Sequence, residues 1–264
     1  MRGVRCETRN VERWSFVLCS MVMAIVMPVL TAYAEDLALG DPRQMTFKPV
    51  EFTPPAPDRV VLENGMVVYL LEDHELPLIS LSVTMRTGSW LDPADTIGLA
   101  ALTGSVMRTG GGGGLTAEQV DEELEQFAGD VSVSIARQAG SASLDVLSKD
   151  IKKGLTIFAG LVRHPTFDAG RVELAKLQAI EGIRRRQDHP GSIVGREFVK
   201  LLYGKEHPSA RESSIESIQS ITREDLVAFH RRTVHPNGMI LGVTGDFDKT
   251  AMLSMLREVF GDWK

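Results

Sequence analysis

An Asn64-Gly65 pair set between two apolar runs fixes the first piece of this chain's topology. Val60-Val61-Leu62 lead into it through Glu63, and Met66-Val67-Val68-Tyr69-Leu70-Leu71 follow. Asn and Gly tolerate the left-handed backbone that a tight turn demands, so the two runs read as an antiparallel hairpin. Residues 78–85, Leu-Ile-Ser-Leu-Ser-Val-Thr-Met, alternate with period two and predict a third strand with one buried face. The pattern then switches to helix. Thr116, with Gln119 three residues on, forms a capping box that opens a helix over 117–127. Strands return at 131–135 and 142–147. Helical stretches follow at 149–162, 169–186 and 192–202, and a second capping box, Thr222 with Asp225, leads into 226–232. Residues 239–244 are apolar without a break and predict a strand at the centre of its sheet, before a closing helix over 249–260. Strands on both sides of a helical block, with hairpins among them, predict an α+β fold. It is a two-layer sandwich: a mixed, mainly antiparallel sheet with helices packed on one face. No period of 20–50 residues recurs, which excludes a solenoid.

The N-terminus reads as a targeting segment. Arg2, Arg5, Arg9 and Arg13 precede an apolar stretch, and Ala32-Tyr33-Ala34 fits a small-residue cleavage site, so 1–34 is expected to be a signal peptide. Pro28 and the shortness of the apolar run argue against a membrane span. A Pro-rich lead-in over 35–58 and one domain over 59–264 complete the expected organisation. Cys6 and Cys19 are the two cysteines of the chain, and both fall in the leader, so the exported part carries no thiol for disulfides or metal. Removing four arginines and two glutamates with the leader takes the net charge from −6 to −8, which disfavours nucleic acid and anionic membrane as partners. The expected location is periplasmic or extracellular.

A set of short segments occurs in one order. They are the hairpin, Arg86-Thr87-Gly88-Ser89-Trp90-Leu91-Asp92-Pro93, Gly98-Leu99-Ala100, the Gly-rich 109–116, and Leu147-Ser148-Lys149-Asp150. After them come His207-Pro208, Ser220-Ile221-Thr222-Arg223-Glu224-Asp225-Leu226, Pro236-Asn237-Gly238-Met239 and Gly245-Asp246-Phe247-Asp248. Together they resemble the N-terminal domain of the insulinase/pitrilysin-type metallopeptidases, the inverzincins, over about 45–264. The resemblance implies a clamshell half that works with a second similar domain, and peptides that add as a strand to a sheet edge. It also implies zinc held by an inverted motif, His-x-x-Glu-His, with the Glu as general base and a third ligand, another Glu, on a later helix.

Here the motif positions are Ala101, Gly104 and Ser105, and the third-ligand position is Gly182. None supplies an imidazole or carboxylate, so no catalytic or metal residue is assigned and no cofactor is expected. Glu181 lies next to Gly182 but about 100° round the helix. Val131, Ser132, Val133, Ser134 and Ile135 match the family strand that pairs with bound peptide, and backbone pairing does not depend on zinc. The leading expectation is a non-catalytic homologue serving as the regulatory or peptide-binding subunit beside a separate zinc-bearing homologue. One rival is an active metallopeptidase with relocated ligands, for instance His189, Glu197 and His207. Another is the N-terminal fragment of a longer protein with a structural role.

Other motifs carry less. Gly110–Gly114 lacks the Gly-Lys-Ser/Thr ending of a phosphate loop and is expected to be a mobile connection between two helices. Ser105 lacks a Gly-x-Ser-x-Gly frame. His164, His189, His207 and His235 each precede proline, which places them at loop ends. Arg184-Arg185-Arg186 is a solvated basic run at a helix end.

Overall fold

Alternation along the strands decides which face of the sheet is buried. The computed structural model describes residues 53–264; the leader expected over 1–34 and most of the lead-in over 35–58 lie outside the described residues. Six strands form one sheet: β1 (Asp58–Val61), β2 (Val67–Glu72), β3 (Leu78–Met85), β4 (Asp130–Ile135), β5 (Gly140–Leu147) and β6 (Met239–Gly245). Their order is β1-β2-β6-β3-β5-β4, with β2–β6 parallel and every other pairing antiparallel. β6 is therefore interior, as its unbroken apolarity predicted. On one face Val68, Leu70, Ile79, Leu81, Val83, Leu144 and Leu241 are buried. The opposite face presents hydroxyls: Ser80, Ser82, Thr84, Ser132, Ser134, Ser141 and Thr244 are exposed.

The helices cover the apolar face. Among the described residues they are α1 (Leu99–Thr109), α2 (Ala117–Gln126), α3 (Ile151–Arg163), α4 (Ala169–Arg184), α5 (Pro190–Tyr203), α6 (Ile215–Ser220), α7 (Arg223–Thr233) and α8 (Lys249–Phe260). Helix α1 packs on β4 and is flanked by α4 and α7, while α3 packs on β5 and α8. Phe158, Phe167, Phe229 and Phe260 are fully buried in the shared core. Both capping boxes form, Thr116 with Gln119 and Thr222 with Asp225. A third, Ser214 with Ser217, opens α6, a helix the sequence pattern missed because it spans only six residues. Helix α5 is different. None of its residues is buried, Val194, Phe198, Leu201 and Leu202 are exposed, and Glu212 holds it through Lys200 at 2.7 Å.

Two local expectations change. The first hairpin turns through three residues rather than two, with Leu62 N–H bonded to the Met66 carbonyl and Gly65 at φ +86°. Asn64 does more than turn the chain: its amide donates to the Phe260 and Trp263 carbonyls and ties the hairpin to the end of α8. The Gly110–Gly114 segment is a hydrogen-bonded, close-packed loop and not a mobile connection. Gly113 N–H donates to the His164 carbonyl, Thr166 N–H donates to the Gly111 carbonyl, and Gly112 bridges to Leu115 and Pro165. A Cβ at Gly112 or Gly113 would lie 2.9 Å from Gly160 backbone, so glycine here permits backbone-on-backbone contact with α3.

Candidate functional site

Helix α1 carries three of the four positions that the resemblance assigns to chemistry, and a carboxylate six residues upstream of its N-cap starts it. Gly98, the N-cap, has φ +111° and no side chain to cap with. Asp92 supplies the cap instead: its two oxygens accept from Gly98 N–H and Ala100 N–H, each at 2.9 Å. Asp92 is buried, and burial pushes its carboxyl above the ordinary carboxylate value, against the two backbone donors that favour the charged form.

Ala101 and Ser105, one turn apart, are both exposed on α1. Gly104 is buried on another side of the helix, against β4. A Cβ built there would stand 2.5 Å from the Ile135 nitrogen and 2.9 Å from the Ser134 carbonyl carbon. The general-base position is thus filled by strand backbone. Gly182 lies near the C-terminal end of α4, exposed, and a methyl added there would meet no heavy atom within 4 Å. Glu181 beside it pairs with Arg185 at 2.7 Å, along its own helix. A methyl, two hydrogens and a hydroxyl do not suit zinc, which takes imidazole, thiolate or carboxylate.

The relocated set does not assemble either. Among the described residues no three His, Cys, Asp or Glu side chains gather closely enough to share a metal ion. Glu197 pairs with Lys200, and His207 stacks on Tyr203 while its Nδ1 accepts from Ser209 N–H. Another polar group joins distant strand ends: Asp246 accepts from Ser148 Oγ at 3.0 Å and bonds His74 Nδ1 at 2.7 Å. That bond raises the His74 pKa and lowers that of Asp246. The serine is bonded to the carboxylate and not to the imidazole, so the group is a clip rather than an activated nucleophile.

Strand β4 is an edge of the sheet, paired only with β5 among the described residues. Its turn bond, Ala136 N–H to the Ala139 carbonyl, sets which residues bond inward. Alternating from that pair, Ser134 and Ser132 exchange backbone bonds with β5, while Ile135, Val133 and Val131 direct theirs outward. Ser132 and Ser134 also meet Ser143 and Ser141 through their hydroxyls at 2.8 and 3.0 Å. The outward groups are partly engaged. Arg108 on α1 donates through Nε to the Val131 carbonyl at 2.7 Å and pairs with Asp121 at 2.9 Å, and Gly104 backs the Ile135 nitrogen. The Val133 N–H and C=O lie between them. Sequence reasoning overlooked Arg108; an arginine one turn beyond the erased motif was its only signal.

Comparison with known proteins agrees with the fold. Residues 67–209 match the family model described as insulinase (peptidase family M16), and residues 220–264 match the peptidase M16 inactive domain. The chain belongs to the insulinase family of peptidases. It is 28% identical over 148 residues to an uncharacterized zinc protease of Mycobacterium leprae, covering 55% of this chain and 33% of the relative. It therefore spans about a third of the length of that relative. A fainter likeness, 18% over 213 residues, extends to the mitochondrial-processing peptidase subunit beta of Dictyostelium discoideum (77% and 43% covered). Among solved structures, the peptidase M16 inactive domain from Pseudomonas fluorescens superimposes with TM-score 0.72 at 27% identity, covering 78% of this chain and 50% of that one. The periplasmic protease PqqL from Escherichia coli shares the fold, with TM-score 0.69 at 18% identity over 80% of this chain and 24% of that one.

Proposed function

We propose that this chain is a non-catalytic M16 protein that acts as the regulatory or peptide-binding subunit beside a separate zinc-bearing homologue. One observation carries the reading. The four positions that the resemblance assigns to zinc and its base are occupied by Ala101, Gly104, Ser105 and Gly182, and Gly104 is pressed onto β4 backbone. Peptide binding by strand addition would start at Val133, which directs its N–H and C=O away from β5 at the sheet edge, and would require Arg108 to release the Val131 carbonyl. The subunit name of the Dictyostelium relative and the inactive-domain name of the Pseudomonas structure support a role in a pair. The leader read from 1–34 and the periplasmic location named for PqqL support export. Among the described residues no helix is long and apolar enough to cross a membrane.

Co-expression with a homologue bearing His-x-x-Glu-His tests the proposal. The expected result is a stoichiometric complex whose peptide hydrolysis is lost when the homologue's Glu is replaced, with zinc held by the homologue. Chelator-sensitive hydrolysis by this chain alone, restored by zinc, overturns it. Strand addition is best probed with peptides N-methylated at alternate residues, which lose affinity only if their N–H groups pair. Proline at Ser132 or Ser134 is the wrong probe, since both residues face β5 and the substitution would break the sheet itself.

A further inference from the structure

A cavity of about 280 Å³ opens between the β4–β5 turn and α5, and its charge runs against that of the chain. Arg137, Arg196 and Arg211 line it, with Glu212 the one carboxylate among the described residues, in a protein of net charge −6. Glu212 is already engaged in ion pairs. It bonds Lys200 at 2.7 Å and Arg186 at 2.9 Å, and reaches Arg196 only at 3.7 Å. Arg196 spends one nitrogen on the Arg186 carbonyl at 3.0 Å, and Arg211 is held by the Asp92 carbonyl at 3.4 Å. The Arg137 guanidinium has no hydrogen bond or ion pair among the described residues, yet its backbone is fixed, since its carbonyl accepts from Trp90 N–H at 3.1 Å. Ser192 and Ser209 add hydroxyls to the wall.

The cavity's place gives it meaning. Arg137 is two residues past Ile135, so the turn lies within about 7 Å of chain from the end of the β4 edge. A strand laid along β4 and continued past Ile135 runs toward these guanidinium groups. Arginine's fixed fork of donors matches a carboxylate, and a partly enclosed site strengthens the bond. We propose that this cavity is an anion subsite that takes a carboxylate of the bound peptide, from an Asp or Glu side chain or from the C-terminus. The inference rests on the strand-addition reading for the position of the peptide, but not for the affinity of the cavity.

Two probes separate the parts. N-acetylglutamate, titrated against the full chain, should give saturable NMR shifts at the Nε–H groups of Arg137 and Arg211, which N-acetylglutaminamide, with no carboxylate, does not reproduce. Absence of a saturable shift overturns the subsite whatever else is found. Fluorescein-labelled alternating Thr-Val peptides then distinguish the carboxylate's source: one amidated and ending in Gln, one amidated and ending in Glu, one ending in Gln with a free C-terminus. Whichever carboxylate is used should tighten binding about tenfold over the neutral peptide at low salt, and less at high salt. Arg137→Gln and Arg211→Gln should remove that preference, while Lys152→Gln on α3, the same charge change elsewhere, leaves it intact. Equal affinity of all three peptides overturns the subsite and leaves strand addition standing. A shift with N-acetylglutamate but no peptide binding sustains the subsite and overturns strand addition.

Discussion

Two glycines at positions the resemblance assigns to zinc chemistry should respond to alanine with opposite signs. Gly→Ala in a helix interior gains about 1 kcal/mol from propensity alone. At Gly182 nothing outside its own helical turn opposes the gain, since no other atom lies within 4 Å of the added methyl, and stability should rise by about 0.5–1 kcal/mol, allowing for its place near the helix end. At Gly104 the methyl falls 2.5 Å from the Ile135 nitrogen, 2.9 Å from the Ser134 carbonyl carbon and 3.1 Å from Ile135 Cγ1. Two of these are backbone atoms and cannot rotate away. Overpacking of this kind costs about 1–3 kcal/mol, and the rigid neighbours put it in the upper half of that range. The net expectation for Gly104→Ala is a loss of about 1–2 kcal/mol. Urea midpoints at constant m-value measure both variants, and a shift of about 2–4 °C in Tm per kcal/mol gives a second reading. Gly104→Glu, which would place a carboxylate at the general-base position, should cost more than Ala and yield no hydrolysis. A neutral or stabilising Gly104→Ala would refute the close seating of α1 on β4, and with it the argument that the base position is structurally closed.

Other consequences are measurable in the same way. Asp92→Ala leaves two N–H groups of α1 without their acceptor and should cost about 2–3 kcal/mol by urea unfolding, whereas Asp92→Asn, which keeps one acceptor oxygen, should cost less. Arg108→Met should cost about 1 kcal/mol by releasing the Val131 carbonyl, and Asp121→Asn under about 0.5 kcal/mol, because that pair is half exposed. Burial holds the His230 pKa below its ordinary 6.5, with Nε2 bonded to the Val162 carbonyl. The unfolded chain then binds the proton more readily than the folded one, so this residue's contribution is complete above pH 6.5 and is lost as pH falls toward the folded value. His230→Gln should therefore flatten the decline in urea midpoint between about pH 7.5 and 5.5; an unchanged slope would count against it.

Much of the architecture was legible because it rests on local rules. The period-two runs 78–85 and 131–135 gave strands and their buried faces, since successive side chains must point to opposite sides of a sheet. The capping boxes at Thr116 and Thr222 gave helix starts, since their hydrogen bonds close within three residues. The proposal that metal chemistry is lost is equally local: it needs only the identity of the residues at the positions the resemblance assigns, Ala101, Gly104, Ser105 and Gly182. Helix α6 escaped because six residues hold less than two turns of pattern. The five glycines of 110–114 were misread because glycine serves both freedom and close approach, and only the presence of Gly160 against them decides between the two.

What the sequence by itself determined is therefore the order of the strands and of most helices, and the residue types at the four positions the resemblance assigns to zinc chemistry, both consequences of side-chain chemistry read one residue at a time. The tertiary structure alone decided that Asp92 caps α1, that Arg108 occupies the Val131 carbonyl, that Ser132 and Ser134 face β5, and that Arg137, Arg196 and Arg211 share a cavity. Those relations join residues far apart along the chain, or turn on hairpin register, and distances of a few ångströms between separate elements are set by how the whole core packs.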